Sequence, residues 1–156
     1  MFISDLLRLI VIDIAVIAGL SIVIGATAPR WPDRWLDADH GPLRWNLPRK
    51  ESTFRALGVT WLAQHLPELG AIFGGTSKAT LPGRDAESLQ RYLIEVRRGE
   101  WVHLLSMLTF IPLFFFNPWW LALVFAVIAI GGNTPFVLIL RYNRLRLSRL
   151  LRRMTG

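Results

Sequence analysis

One histidine and two polar residues in the second half of the chain have the types and spacing that proton transfer requires. His103 follows Glu100 by three residues, so the two side chains share one face of a helix. A neighbouring carboxylate can orient an imidazole and raise its basicity, as a general base for a hydroxyl group needs. Asn133 offers an amide that could donate to a developing oxyanion. We therefore predict His103, Glu100 and Asn133 as catalytic residues, the alternative being a buried Glu–His pair that only joins two helices.

A second group of mostly basic residues has the chemistry to hold a phosphate-bearing substrate. Arginine binds phosphate through two parallel hydrogen bonds, which lysine cannot do. The predicted substrate-binding residues are Glu95, Arg98, Lys78, Arg141, Asn143 and Arg144. For the arginines that follow residue 140, the alternative is a role in membrane topology and in contact with lipid phosphates.

Two His–Glu pairs have the spacing of helical carboxylate-bridged metal sites. His65 precedes Glu68, and Glu100 precedes His103, each by three residues. Pro67 interrupts the first pair, and no third ligand element accompanies them. We predict no metal and no resident cofactor, and a membrane metalloenzyme stays as an alternative.

The composition indicates that these residues are positioned by membrane helices. The chain has 156 residues, of which 53% are hydrophobic, and its mean hydropathy is +0.39. The apolar residues form long runs, which are typical of lipid-embedded helices. The chain has no cysteine, which excludes disulfides, thiolate nucleophiles and cysteine-ligated metals. The net charge of +7 favours anionic lipid over nucleic acid as the partner.

Hydropathy predicts one membrane domain, 1–156, with three spans. They cover 9–28, 101–116 and 119–140. The first and third are long enough to cross roughly 30 Å of hydrocarbon, and the second is slightly shorter. Asp13 interrupts the first span and is expected to bond to a neighbouring helix or partner. Asn117-Pro118 separates the second span from the third, so these two are expected to form a hairpin.

The remaining segments are predicted to lie on the cytoplasmic side. Residues 29–100 form a cytoplasmic or interfacial segment, with an amphipathic helix near 52–66 and a second helix from residue 85. The basic tail, 141–156, carries six arginines and no acidic residue, which places it in the cytoplasm. The predicted fold class is all-α integral membrane, with about three transmembrane helices plus an interfacial amphipathic helix on the cytoplasmic side.

The predicted hairpin brings the chemistry-bearing residues to one depth. A turn between Asn117 and Pro118 pairs residue i with residue 235 − i, which sets His103 opposite Gly132 and therefore next to Asn133. His103 is then roughly 21 Å of helix rise from the turn, just inside the cytoplasmic boundary. Ionisable groups at that depth usually line a cavity or a substrate path.

Three sequence blocks resemble a known family. The blocks are Leu66-Pro67-Glu68 with Gly74-Gly75-Thr76-Ser77-Lys78, Glu95 to His103, and Asn133-Thr134-Pro135-Phe136 with Arg141 to Arg146. Together they resemble the glycosyl-diaponeurosporenoate acyltransferases, small bacterial membrane proteins, and the similarity extends from about residue 45 to residue 150.

The resemblance implies transfer of a fatty acyl group to a sugar hydroxyl of a glycosylated carotenoid or a similar glycolipid. It also implies a multi-pass protein of the bacterial cytoplasmic membrane, with acyl-CoA as the co-substrate. Expected partners are membrane lipids, the lipid-like acceptor, and a second copy or a larger membrane complex, but no nucleic acid. The principal alternative function is that of a non-enzymatic accessory subunit of such a complex.

Overall fold

The computed structural model describes residues 3–45, 50–65 and 85–155, in which every regular element is a helix. The first, α1, extends over Ile3–Thr27 and contains the predicted first span. Three short 3-10 turns follow, at Ala28–Arg30, Asp33–Trp35 and Gly41–Arg44. Pro29, Pro32 and Pro42 lack the N–H that an α-helix needs, which explains why this segment stays in short turns.

The amphipathic segment near 52–66 forms two short helices and not the single helix that we predicted. They are α2, Glu51–Ala56, and α3, Val59–His65. Gly58 lies between them with φ +70°, a left-handed conformation that ends a helix and that glycine adopts without steric cost. Phe54 and Val59 are buried against Tyr142, so the pair packs on the last helix of the protein.

The predicted second span is also not one helix. Helix α4 extends over Ala86–Ser106, and a 3-10 helix, Ile111–Phe115, follows after a turn. Pro112 cannot continue an α-helix because it lacks the donor and clashes with the preceding turn. At its other end α4 is capped by Asp85, whose carboxylate accepts a hydrogen bond from the Ser88 backbone N–H; that bond lowers the pKa of Asp85.

The last helix, α5, joins the predicted third span to the basic tail without a break, over Trp119–Thr155. Pro135 lies inside it and removes one backbone hydrogen bond. Side chains bond to carbonyls next to that position: Asn133 Nδ2 donates to Ala129 O at 2.8 Å, and Thr134 Oγ1 donates to Ile130 O at 2.7 Å. Side-chain donors of this kind help a helix to accommodate a proline within an apolar layer.

Among the described residues, two helices are long and apolar enough to cross a membrane, over Ile3–Arg30 and Trp119–Met154. Only 6% of the most apolar window of the first is buried, and 28% of that of the second. Most of their hydrophobic side chains thus face outward. Helices in contact with lipid have this property, whereas the core helix of a soluble protein buries its hydrophobic side chains. The prediction of three spans is not confirmed.

Helices α4 and α5 pack against each other in an antiparallel arrangement, and α1 packs beside the turn that joins them. Leu89, Leu93 and Val96 of α4 are buried with Leu140 and Leu147 of α5. At the other end, a cluster joins α1 to the hairpin; its members are Leu6, Leu9, Ile10, Val16, Ile17, Phe110, Leu113, Leu121, Ala122 and Phe125.

A buried polar bond fixes the depth of α1 against the hairpin. Asp13 is fully buried, and its Oδ1 accepts a hydrogen bond of 2.7 Å from Asn117 Nδ2. The second oxygen of Asp13 and the amide oxygen of Asn117 are buried without a partner among the described residues. The bond is therefore isolated in an apolar setting, where losing either partner leaves the other unsatisfied.

We expect Asp13→Ala to lower the free energy of unfolding by about 1–3 kcal/mol, because the Asn117 amide then has no acceptor. Asp13→Asn should lose less, since its amide oxygen can still accept. Ser4→Ala, an exposed change on the same helix, is the control. The measurement is thermal unfolding of the purified protein in detergent. Equal melting temperatures for Asp13→Ala and the control would mean that the bond between Asp13 and Asn117 does not stabilise the packing of α1.

Candidate functional site

His103 of α4 is held by an asparagine of α5. Its Nδ1 lies 2.9 Å from Asn133 Oδ1, while Asn133 Nδ2 donates to the Ala129 carbonyl at 2.8 Å. The second bond fixes which end of the amide carries the nitrogen, so the oxygen faces the imidazole. An amide oxygen only accepts, and Nδ1 must therefore carry a proton. In the neutral ring the lone pair that can accept a proton is then on Nε2.

A phenylalanine one turn further along α5 fixes the plane of the same ring. The rings of Phe136 and His103 stack at 4.7 Å between centroids and 4° between planes. Together the hydrogen bond and the stack hold a half-buried imidazole in one orientation. The predicted register of the hairpin placed His103 next to Asn133 in depth, and the structure brings the two into direct contact.

Glu100 holds two arginines of α5. It has no solvent exposure, and its Oε1 and Oε2 accept from Arg141 Nε at 2.9 Å and from Arg144 Nε at 2.8 Å. The sequence predicts that Glu100 orients His103. In the structure the amide of Asn133 orients the ring, and the carboxylate of Glu100 neutralises guanidinium groups.

Arg144 donates a hydrogen bond to protein from each of its three side-chain nitrogens. Only 1% of it is exposed, and it donates from Nε to Glu100, from Nη1 to Asp39 and from Nη2 to the Leu43 carbonyl at 3.0 Å. Asp39 also accepts from Arg97 Nε at 2.8 Å. This chain of contacts therefore links α5, α4 and the segment that follows α1.

Two adjacent arginines of α4 bind the same segment through its backbone. Arg97 Nη1 donates to the carbonyls of Leu36 and Asp37, at 3.1 and 2.9 Å. Arg98 donates to Asp33 at 2.6 Å, to the Trp31 carbonyl at 3.3 Å, and to Glu95. The segment is thus fastened to the surface of α4 over most of its length.

We call these eight ionised residues the charge network. It contains four arginines and four carboxylates in two groups that share no ion pair among the described residues: Arg98 with Asp33 and Glu95, and Arg97, Arg141 and Arg144 with Asp39 and Glu100. The four arginine side chains and Glu100 are at most 13% exposed, whereas Asp33 is 70% exposed. Ions that are removed from solvent in this way are tolerated only when they are paired and hydrogen-bonded. Sequence reasoning missed Asp33 and Asp39, although three aspartates in a segment otherwise rich in arginine and tryptophan are a signal for such pairing.

The predicted substrate-binding residues fall into three groups: members of the charge network, a residue without a side-chain hydrogen bond, and a residue outside the described part of the chain. Glu95, Arg98, Arg141 and Arg144 all belong to the charge network. Asn143 is half-buried and makes no side-chain hydrogen bond within the part of the chain that the structure describes. Lys78 lies outside the described residues, as does Glu68 of the first His–Glu pair. Among the described residues, no group of three or more His, Cys, Asp and Glu side chains could hold a metal ion.

An apolar groove of about 250 Å³ lies between α4 and the segment that the charge network fastens. It is lined by Trp31, Trp35, Leu36, Trp101 and Leu105. Arg97 and Arg98 hold the carbonyls of Leu36 and Trp31, and the network therefore shapes one wall of the groove. Its lining is apolar.

Comparison with known proteins gives one match. The family model for glycosyl-4,4'-diaponeurosporenoate acyltransferase matches residues 32–153, which include α2 to α5 and the segment bearing Asp33 and Asp39. No curated protein and no solved structure matches the chain.

We expect Glu100→Gln to destabilise the protein by about 3–5 kcal/mol, because it leaves Arg141 and Arg144 buried with one carboxylate fewer. Arg91→Ala, which removes an exposed pair with Glu87, is the control and should cost less than about 1 kcal/mol. Chemical denaturation in detergent, followed by tryptophan fluorescence, measures both. Equal stability of the two variants would mean that the buried network does not hold α4 to α5.

Proposed function

Because the chain belongs to the glycosyl-4,4'-diaponeurosporenoate acyltransferase family, we propose that it moves a fatty acyl group from acyl-CoA to a sugar hydroxyl of a glycosylated carotenoid. A similar glycolipid is the other acceptor of the same chemistry. The reaction takes place at the bacterial cytoplasmic membrane, where the apolar acceptor resides.

The observation that carries the proposal is the fixed imidazole of His103. A general base for an alcohol needs a basic nitrogen of fixed position, and the bond between Nδ1 and Asn133 supports Nε2 in that role. Stacking on Phe136 reduces the orientations that the ring can sample. Orientation of this kind lowers the entropic part of the activation barrier.

The proposed transfer is one direct displacement. Nε2 of His103 takes the proton of the sugar hydroxyl while the hydroxyl oxygen forms an ester bond to the acyl carbon. The carbon–sulfur bond of the thioester breaks, and the imidazolium returns the proton to the CoA thiolate. Asn133 Nδ2 has a second N–H besides the one bonded to Ala129, and we assign it to the developing oxyanion.

The other residues act through position. Glu100, Arg141 and Arg144 set the register of α4 against α5, and Arg98 with Glu95 holds the wall of the apolar groove. We propose that this groove takes the hydrocarbon part of the acceptor. Asn143 and Lys78 remain proposed contacts to the polar part of a substrate.

We expect His103→Ala and His103→Gln to lower kcat by roughly 10²–10⁴-fold, the usual contribution of a general base. The assay uses purified protein in nanodiscs, radiolabelled palmitoyl-CoA and glycosyl-4,4'-diaponeurosporenoate, with the ester product identified by mass spectrometry. His65→Ala, an exposed histidine on α3, is the control and should keep full activity. Undiminished transfer by both His103 variants would contradict the proposal.

The role of Asn133 is tested by the pH profile. Asn133→Asp places a carboxylate on the imidazole, which favours the protonated ring that cannot act as a base. We expect the acidic limb of kcat/KM to move to higher pH, whereas Asn133→Leu lowers kcat/KM without that displacement. A merely structural asparagine would give two variants with the wild-type profile and reduced protein yield.

The topology that the proposal requires has the N-terminus outside and the C-terminus in the cytoplasm, where acyl-CoA is made. Since the chain has no cysteine, single-cysteine variants report it directly. On intact cells, a membrane-impermeant maleimide should label Ser4→Cys and label Arg152→Cys only after permeabilisation. Labelling of Arg152→Cys in intact cells would place the end of α5 outside and exclude a cytoplasmic donor.

A further inference from the structure

Four exposed basic residues meet where α2 packs on α5. Arg146 and Arg149 lie three residues apart on one face of α5, Lys50 immediately precedes α2, and Arg55 lies within it. We call these four residues the basic patch. Among the described residues, the carboxylate that pairs with the patch is Glu51, which binds Arg149 and lies within 4.0 Å of Arg55. The patch therefore sets four positive charges against one negative charge.

An apolar cluster fixes α2 and α3 on α5. Phe54, Val59 and Tyr142 are buried together, and Leu138 and Ile139 pack against them. The rings of Phe54 and Tyr142 lie 5.7 Å apart between centroids. Helix α2 begins at the basic patch, whereas the cluster lies nearer to the apolar part of α5. The chain therefore approaches the membrane as it passes from α2 to α3.

Counting along α5 places the basic patch at the level of the lipid headgroups. The helix begins at Trp119, next to Trp120, and both are exposed, as tryptophans at a membrane interface are. Tyr142 is about 35 Å of helix rise beyond Trp119, and the hydrocarbon layer is roughly 30 Å thick with several ångströms of headgroup on each side. The guanidinium of Arg146 lies 5.6 Å from the centre of the Tyr142 ring, so it points back towards the membrane. Its charge is therefore in the layer that holds the lipid phosphates.

Two large apolar side chains of the α2–α3 segment are exposed on the membrane side of the patch. Leu57 is 53% exposed and Trp61 is 60% exposed. Val59 lies between them in the chain and is buried in the cluster that Leu138 joins. Leu138 is about 29 Å of helix rise beyond Trp119, at the edge of the hydrocarbon layer. The exposed pair thus lies where apolar and aromatic side chains of interfacial helices contact lipid.

We propose that the basic patch binds the phosphate of an anionic phospholipid, while Leu57 and Trp61 contact the acyl chains beside it. This binding is independent of the acyl transfer proposed above. An anionic headgroup is favoured over phosphatidylcholine, whose choline would bring a cation against the three arginines of the patch. A soluble phosphate compound would make no use of the exposed apolar pair, and the surface is therefore assigned to a lipid.

The test follows thermal unfolding of the full-length protein in an uncharged detergent during titration with dioctanoyl phosphatidylglycerol. A ligand that binds only the folded protein raises the melting temperature as its concentration rises. We expect this rise with phosphatidylglycerol and a much smaller one with dioctanoyl phosphatidylcholine. The triple variant Arg55→Ala, Arg146→Ala, Arg149→Ala should need at least about tenfold more phosphatidylglycerol for the same rise above its own lipid-free value, since each arginine loses a charge-assisted bond.

The matched control removes three exposed arginines elsewhere: Arg34→Ala, Arg44→Ala, Arg91→Ala. It should respond to phosphatidylglycerol within about twofold of wild type. Equal losses in the two triple variants, or equal responses of the wild type to the two lipids, would overturn the proposal. So would an equal response to glycerol 3-phosphate, which has the phosphate without acyl chains, because the occupant would then be a soluble phosphate compound.

Glu51 gives a second measurement, whose sign separates lipid binding from a role in folding. Glu51→Gln removes the negative charge beside Arg149 and Arg55 that a lipid phosphate would face. We expect it to tighten phosphatidylglycerol binding by about two- to fivefold, the weight of an exposed ion pair. If Glu51→Gln lowered the lipid-free melting temperature and left the affinity for phosphatidylglycerol unchanged, the patch would only hold α2 on α5, and the proposal would be wrong.

Discussion

The carboxylate of Glu100 lies between the guanidinium groups of Arg141 and Arg144, fully removed from solvent. An ionised group in that position is stable only while its partners stay in place, because the cost of an unpaired buried charge exceeds that of most packing defects. The contact therefore fixes how far α4 and α5 can slide along each other. It also requires Arg144 to find further acceptors, which Asp39 and the Leu43 carbonyl supply.

The register set at Glu100 decides what His103 meets. Glu100 precedes His103 by about one turn of α4, Arg141 follows Asn133 by about two turns of α5, and the long arginine side chain spans the difference. The asparagine and the imidazole then face each other at 2.9 Å. A displacement of α5 by one residue would rotate Asn133 and Phe136 away from the ring by about 100°. The contacts of Glu100 and the orientation of the His103 ring are thus one geometric constraint.

Much of this arrangement follows from local rules. Asn117-Pro118 marks the turn, and counting residues from it brings His103 to the level of Asn133. The same counting could not give the partners of Glu100, because they depend on the segment that carries Asp39, and no periodicity relates that segment to α4. The breaks within the predicted second span and within the predicted interfacial helix were missed for a different reason. Hydropathy measures how apolar a stretch is, whereas Pro112 and Gly58 act on backbone geometry, and each ends a helix that the apolar pattern would continue.

Helix α5 carries both contacts that hold α4 in place near His103. Asn133 and Phe136 hold the imidazole, and Arg141 and Arg144 hold the carboxylate of Glu100 further along the helix. Because Pro135 is accommodated without ending the helix, the distance between these two contacts is set by helix rise and does not depend on a flexible joint. The orientation of His103 and the burial of Glu100 are therefore properties of one continuous helix packed on α4.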